Sequence, residues 1–149
     1  MKTTQVQLIM PAHVNSSNRL FGGQLMAWID VVASVEARRH TRRPVITACV
    51  DHLDFLEAAR LGELICLEAS VTWTGRTSLE VLAESYVESM SGSRTLINRA
   101  YLVFVALDEG GEPTTFPAFV PETEEEKREW DAAVLRKEHR KALKTKNNC

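Results

Sequence analysis

The chain has 149 residues, 26% of them charged, and a formal net charge of −2 at neutral pH. That is one domain's worth, large enough to bury roughly two thirds of the surface its unfolded chain exposes. The balanced charge excludes the basic footprint that nucleic-acid affinity needs. No apolar run approaches a membrane span, and the opening MKTTQVQLIM lacks the long apolar core of a leader segment, so a cytoplasmic protein is expected. Cys49, Cys66 and Cys149 are too few and too scattered for a disulfide framework or a zinc site. They read as reduced thiols, the first two in apolar strand-like runs and the third on a loose tail.

Val6, Leu8 and Met10 alternate with Gln5 and Gln7, an opening strand closed by Pro11. After a loop from Ala12 to Leu20, Gly22 and Gly23 open a helix that nothing breaks until Thr41. Leu25, Met26, Ile29, Val32, Ala33 and Ala37 recur along it at helical spacing, while Trp28, Val31 and Val35 make the opposite face apolar too. That pattern predicts a helix buried on nearly all sides. Arg42, Arg43 and Pro44 end it, and Val45 to Phe55 resumes as a strand whose alternation is only moderately clean. Beyond Gly62, the run Glu63 to Trp73 places Ile65, Leu67, Ala69, Val71 and Trp73 on one face, the pattern of a half-buried strand. Thr74 to Thr77 turn the chain into a second such strand, where Leu79, Val81, Ala83 and Val87 oppose Glu80, Glu84 and Glu88. Ser91, Gly92 and Ser93 turn it again, and a last strand runs from Ile97 to Leu107 before the loop signal Asp108, Glu109, Gly110, Gly111.

The order strand, long helix, then four strands in antiparallel succession predicts an α+β architecture with the sheet wrapped around one helix. Beyond Pro121 a charged segment is acidic in its first third and basic in its last, which complements a helix macrodipole. A mostly solvated helix is expected there, docked through Trp130, Val134 and Leu135. Its basic end is either a solvated face or a grip for phosphate.

The chemistry concentrates between Asn15 and Asp30. An ionised carboxylate inside an apolar helix is costly to bury, so Asp30 needs a partner, a raised pKa or a polar cavity beside it. It is either an active-site group or a structural aspartate satisfied by a neighbour. Gly22 and Gly23 allow close backbone approach and offer N–H groups at the positive end of a helix, where an anion or a developing oxyanion is stabilised. A third glycine at dinucleotide-binding spacing is absent, as is a Walker lysine. Asp30 lies about 12 Å along the helix axis from Gly22, too far for both to act on one carbonyl carbon. Two such helices antiparallel across a two-fold axis would bring the aspartate of one chain to the glycine mouth of the other.

These residues carry a resemblance that covers nearly the whole chain. An Asn followed by FGG-x-L-M-x-W-x-D, here Asn15, Phe21, Gly22, Gly23, Leu25, Met26, Trp28 and Asp30, resembles the pattern of hotdog-fold acyl-CoA thioesterases. The branch is that of the bacterial acyl-CoA hydrolases and the vertebrate cytosolic acyl-CoA hydrolase. Ala37, Arg39 and His40 match the helix end, Thr47, Asp51 and Phe55 the second strand, Gly75 to Ser78 the hairpin, and VPETEEEK the tail. Asn18 stands where the family usually has glycine, and asparagine is the best non-glycine tolerator of a left-handed conformation. Ala58 replaces a usual proline, at a cost in loop stiffness.

The resemblance implies a hotdog thioesterase domain over residues 1–120, with residues 121–149 as a charged C-terminal helix and tail of the same domain. It implies hydrolysis of acyl-CoA to free acid and CoA, with CoA as part of substrate and product and neither cofactor nor metal. The expected catalytic residues are Asp30 as general base or nucleophile, the N–H of Gly22 or Gly23 as oxyanion donor, and Asn15 as the group that orients water or carbonyl. A thiolate is a good leaving group, so a site without histidine or metal suffices. Arg76, Thr77 and Ser78 are expected against CoA, unless they form an ordinary exposed turn. Self-association as a dimer with shared active sites is expected; the choice between dimer, tetramer and hexamer, the last as a trimer of dimers, is not legible in the sequence. His13 reads as a surface group, and His40 and His52 carry no assigned role. One alternative is a hotdog module that binds acyl-CoA without turnover. A second, a hotdog dehydratase or hydratase, needs a helix histidine paired with a carboxylate, and His40 stands at the far end. Acyl-chain length is not legible.

Overall fold

The computed structural model describes residues 2–147; Cys149 lies outside them. β1 spans Thr3–Leu8 and gives way at Pro11 to a short 3-10 turn, Pro11–His13. α1 spans Gly22–Thr41, entered from Phe21 in extended conformation and left through Arg42 in the left-handed region, at φ 57° and ψ 30°. Pro44 cannot continue a helix and pushes the residue before it toward extended geometry, which fixes the exit. β2 (Val45–Phe55), β3 (Leu64–Thr74), β4 (Ser78–Glu88) and β5 (Arg94–Ala106) follow, and α2 spans Glu124–Asn147. β5 starts three residues earlier than its sequence pattern indicates.

The five strands form one antiparallel sheet in the order β1-β3-β4-β5-β2. This corrects the expected succession: β3, β4 and β5 form a meander, but β2 pairs with β5 and β1 with β3, so the second strand stands at the edge farthest from the third. β2 also carries register shifts between Thr47 and Cys49 and between Asp51 and Asp54. Such bulges bend a strand and interrupt its two-residue period, which explains its uneven alternation.

α1 lies on the inner face of the sheet. Leu25, Ile29, Val32, Ala33 and Ala37 pack there against Ile65, Leu67, Leu79, Val81, Leu102 and Phe104. The expectation of a helix buried on all sides is corrected, because the sheet covers one side alone. Met26, Val31 and Val35 are 43%, 51% and 38% exposed. Val6 and Leu8 on β1 and Met10 just beyond it are exposed as well, so the apolar side of this strand faces away from the core.

α2 begins at a reciprocal cap. Thr123 Oγ1 accepts the Glu126 N–H at 3.0 Å, and Glu126 Oε2 accepts the N–H groups of Glu122 and Thr123. Those backbone donors hold the Glu126 carboxyl below its usual pKa. Of the expected docking residues, Trp130 is half-buried, but Val134 and Leu135 are exposed. Ala133 is buried, Trp130 packs against the rings of Trp73 and Phe119, and ion pairs make up much of the remaining seat. β4, expected to be half-buried, is covered on both faces because α2 lies over its outer one: Leu79, Glu80, Val81, Leu82 and Ala83 are all buried.

Candidate active site

Asp30 stands on α1 where the buried and exposed faces meet, and its carboxylate is half-buried. The Thr47 hydroxyl of β2 donates to its Oδ1 at 2.7 Å. The carboxylate therefore has the partner that its sequence context demanded. Thr47, noted in the sequence only as part of a strand, is the residue that fixes it. Around the pair lies a cavity of about 330 Å³ whose other walls include Gly23, Met26, Val50, Leu53 and Leu102. A second cavity, of about 940 Å³, also reaches Asp30 and continues along α1 past Val31, Val35 and Arg38 to Arg42, Arg43 and Val45.

Asn15 belongs to the loop before α1. Its Oδ1 accepts the N–H groups of Ser17 at 2.9 Å and Arg19 at 3.2 Å, the short-range bonding by which asparagine closes turns. Asn18 adopts φ 56°, the left-handed conformation for which asparagine is suited. The loop delivers the chain to Phe21, whose carbonyl accepts both the Gln24 and Leu25 N–H groups. The N–H groups of Gly22 and Gly23 remain as the open donors of the helix mouth. The ring of Phe55 stands 3.7 Å from where a Cβ on Gly22 would lie, so the mouth has an aromatic wall contributed by the end of β2.

Within one chain these groups divide. Asn15 and Gly22 line a cavity of about 370 Å³ with Leu25, Phe55 and Ala58. Gly23, Asp30 and Thr47 line the other. The cavity that Asn15 lines does not reach Asp30, and neither of the two described at Asp30 reaches Asn15. Arg76, Thr77 and Ser78 sit apart from both, on the β3–β4 turn, where the Thr77 carbonyl accepts the Ala106 N–H. Arg76 is exposed. Pro44 accepts from Leu107, so this turn and the C-terminal end of α1 occupy the same end of the sheet.

The histidines stand outside this arrangement. His13 accepts the Met10 N–H on Nδ1 and meets the Trp28 ring edge-on, so it is a packed loop residue and not a free surface group. His40 lies 2.9 Å from the Pro117 carbonyl, between Phe116 and Phe119. His52 is at φ 54° in the second β2 bulge, 3.4 Å from Asp51. Among the described residues no group of His, Cys, Asp and Glu is arranged to hold a metal ion. Cys49 and Cys66 are free, and burial pushes the Cys66 thiol up in pKa. Among the described residues no helix is long and apolar enough to cross a membrane.

Comparison with known proteins meets this geometry. The sequence profile of the thioesterase superfamily matches residues 17–91. YkhA of Bacillus subtilis (strain 168), an uncharacterized acyl-CoA thioester hydrolase, is 43% identical over 96% of this chain and 84% of its own length. An apo-hexameric acyl-CoA thioesterase superposes with a TM-score of 0.91 at 40% identity, over 95% of this chain and 92% of that one. An acyl-CoA hydrolase from Staphylococcus aureus, solved with butyryl coenzyme A, coenzyme A and coenzyme A disulfide, superposes with a TM-score of 0.92 at 34% identity, covering 99% and 90%. That hydrolase has also been solved with an asparagine, an aspartate or a threonine changed to alanine, at positions spaced as Asn15, Asp30 and Thr47 are here. The chain belongs to the thioesterase superfamily and is a hotdog-fold acyl-CoA thioesterase.

Proposed function

We propose that the enzyme hydrolyses its thioesters at sites shared between two protomers, with Asp30 as the acting carboxylate. One observation carries this: Asp30 is anchored by Thr47 on the wall of an apolar cavity, while Asn15 and Gly22 line a different cavity of the same chain. A second copy related by a two-fold axis brings the two halves together. The surface it would cover is present, since Met26, Val31 and Val35 on α1 and Ile46 and Val50 on the edge strand β2 are all exposed. Val6 and Leu8 on the opposite edge strand, continued by Met10 just after it, form a further exposed apolar stripe, which supports assembly beyond the dimer, as a trimer of dimers.

In the assembled site the Gly22 or Gly23 N–H of one chain polarises the thioester carbonyl. Asp30 of the other takes a proton from water as that water attacks, or attacks the carbonyl carbon itself. Asn15 orients water or carbonyl. Collapse of the tetrahedral adduct breaks the carbon–sulfur bond and expels the CoA thiolate, which needs no strong acid; where Asp30 itself has attacked, water then cleaves the acyl–Asp30 anhydride to give the free acid and restore the carboxylate. Arg76, Thr77 and Ser78 hold the CoA portion. The reading implies no cofactor and a cytoplasmic enzyme, the compartment of its CoA substrate.

Complementation tests the sharing. Asn15→Ala and Asp30→Asn homodimers each lack an intact site. Their hybrid holds one doubly altered and one intact site. An equal mixture makes about half the dimers hybrid, so thiol release should recover to about a quarter of wild type. Absence of recovery from verified hybrids would refute a shared site.

A further inference from the structure

We infer that Arg38, Arg42 and Arg43, at the C-terminal end of α1, are the phosphate ligands of the substrate and fix the direction in which it lies across Asp30. This rests on the thioesterase reading of Asp30 given above. Asp30 is at the junction of two unlike cavities. Toward Gly23 its surroundings are apolar, with Met26, Val50, Leu53 and Leu102. Toward the other end of α1 the walls carry Arg38, Arg39, Arg42 and Arg43, and Asp30 itself is the one carboxylate among them.

Arg94 and Arg99 on β5 and Arg136 and Arg140 on α2 are each paired with a carboxylate. Arg39 donates to Thr3 Oγ1. Among the described residues, the guanidinium groups of Arg38, Arg42 and Arg43 have no acidic partner. Three guanidinium groups without an acidic partner within a six-residue span repel one another and favour a multivalent anion, for which a fork of N–H donors is well shaped.

Reach agrees with this assignment. Arg42 lies about 18 Å beyond Asp30 along the helix axis. An extended pantetheine arm, two amide units and their flanking methylenes, covers roughly 15 Å between sulfur and diphosphate. A thioester carbonyl at Asp30 therefore leaves the phosphates at the arginines and sends the acyl chain toward Leu53 and Leu102. Arg76 stands at the same end of the sheet, joined through the hydrogen bonds of Thr77 to Ala106 and Leu107 to Pro44.

The test compares butyryl-CoA with the butyryl thioester of N-acetylcysteamine, which has the same reacting group and no phosphate. In Arg42→Asn/Arg43→Gln, where asparagine suits the left-handed position 42, KM for butyryl-CoA should rise roughly tenfold at low ionic strength. The salt dependence of kcat/KM should flatten, and the loss should be confined to the phosphate-bearing substrate. Arg38→Gln should act in the same direction. Unchanged KM for butyryl-CoA at low salt, or an equal loss on both thioesters, would overturn the assignment. Calorimetric binding of coenzyme A gives a second readout independent of turnover: weakened binding in the double variant supports the site, and unchanged binding refutes it. Failure of the wild type to release thiol from any acyl-CoA would instead remove the hydrolytic reading.

Discussion

The two helices lie on opposite faces of one sheet and are held there by opposite means. α1 is seated by apolar packing, with Ile29, Val32 and Ala33 against Leu79, Val81 and Ala83. α2 is seated by charge. Glu80, fully buried, accepts from Thr72 Oγ1 at 2.6 Å and from Arg136 at 2.7 and 3.0 Å. The Arg136 guanidinium lies 3.6 Å from the centre of the Tyr101 ring, and Arg140 reaches Asp51 on β2 at 2.9 Å. Apolar packing has no preferred direction, so the inner side keeps apolar cavities that an acyl chain could enter. A network of charged hydrogen bonds fixes register and tolerates no missing member, because a lone buried charge is expensive. The inner side carries the cavities that reach Asp30, and the outer side is held by the charged network.

That contrast can be broken from either face. The largest effect is expected from Arg136→Ala, which leaves buried Glu80 only the longer contact to Arg140 at 3.7 Å and should cost about 3–5 kcal/mol in urea unfolding. Glu80→Leu combined with Arg136→Leu should cost much less than the single change, since no charge is then stranded. If the single and double variants were equally unstable, the network would be ordinary packing. On the inner face Ile29→Ala should cost about 2–5 kcal/mol through a cavity, and no second substitution of a charge should rescue it.

Asp30→Asn comes next. It should lower kcat by roughly 100-fold or more, about 2.7 kcal/mol of barrier, while leaving the melting temperature unchanged or higher. A fully active variant would sink the assignment, and a clear loss of stability would return Asp30 to a structural role. Thr47→Val, which keeps the shape and removes the hydroxyl, should lower kcat by roughly tenfold with a smaller change in KM.

The smallest effect concerns Glu36, on the inner helix but with its carboxyl buried beside Thr3 Oγ1 at 3.1 Å. Burial raises its pKa above the ordinary carboxylate value, with the Thr3 hydrogen bond opposing. The folded state thus holds the proton more tightly than the unfolded chain does. Stability from this group is fully present below about pH 4 and is lost as pH rises through the raised folded value. Glu36→Gln should be the more stable protein at neutral pH, and its advantage should vanish in acid. A pH-independent difference would contradict the buried charge.

Much of this was legible in the residues, because both periodicities are local. The helix from Gly22 to Thr41 needed only spacing, and the isolated carboxylate at Asp30 needed only its apolar surroundings. The strand order was not legible, since β1 and β2 reach the two edges through pairings that no local pattern encodes. Glu80 looked like a solvated residue because it alternates with core positions as Glu84 does. Its partner Arg136 lies 56 residues further on, within a helix whose charges read as water-facing. The exposed side of α1 was misread for a related reason: an apolar stripe does not say whether its own chain or another copy covers it.

The placement of β2 bears on when the enzyme becomes competent during its own folding. Thr47 is only 17 residues from Asp30 in the chain. Yet among the described residues β2 pairs with β5 alone, from Val45 opposite Ala106 to Phe55 opposite Asn98. A local contact thus waits on a distant one, and closing so long a loop is slow and entropically unfavourable until the intervening meander has formed. A nascent chain that has reached β4 owns the carboxylate, the threonine and the glycine mouth, but no strand to hold Thr47 against Asp30 or Phe55 against Gly22. The hydrogen bond between Thr47 and Asp30 is in this sense a late acquisition of the polypeptide, fixed only once β5 has paired with β2.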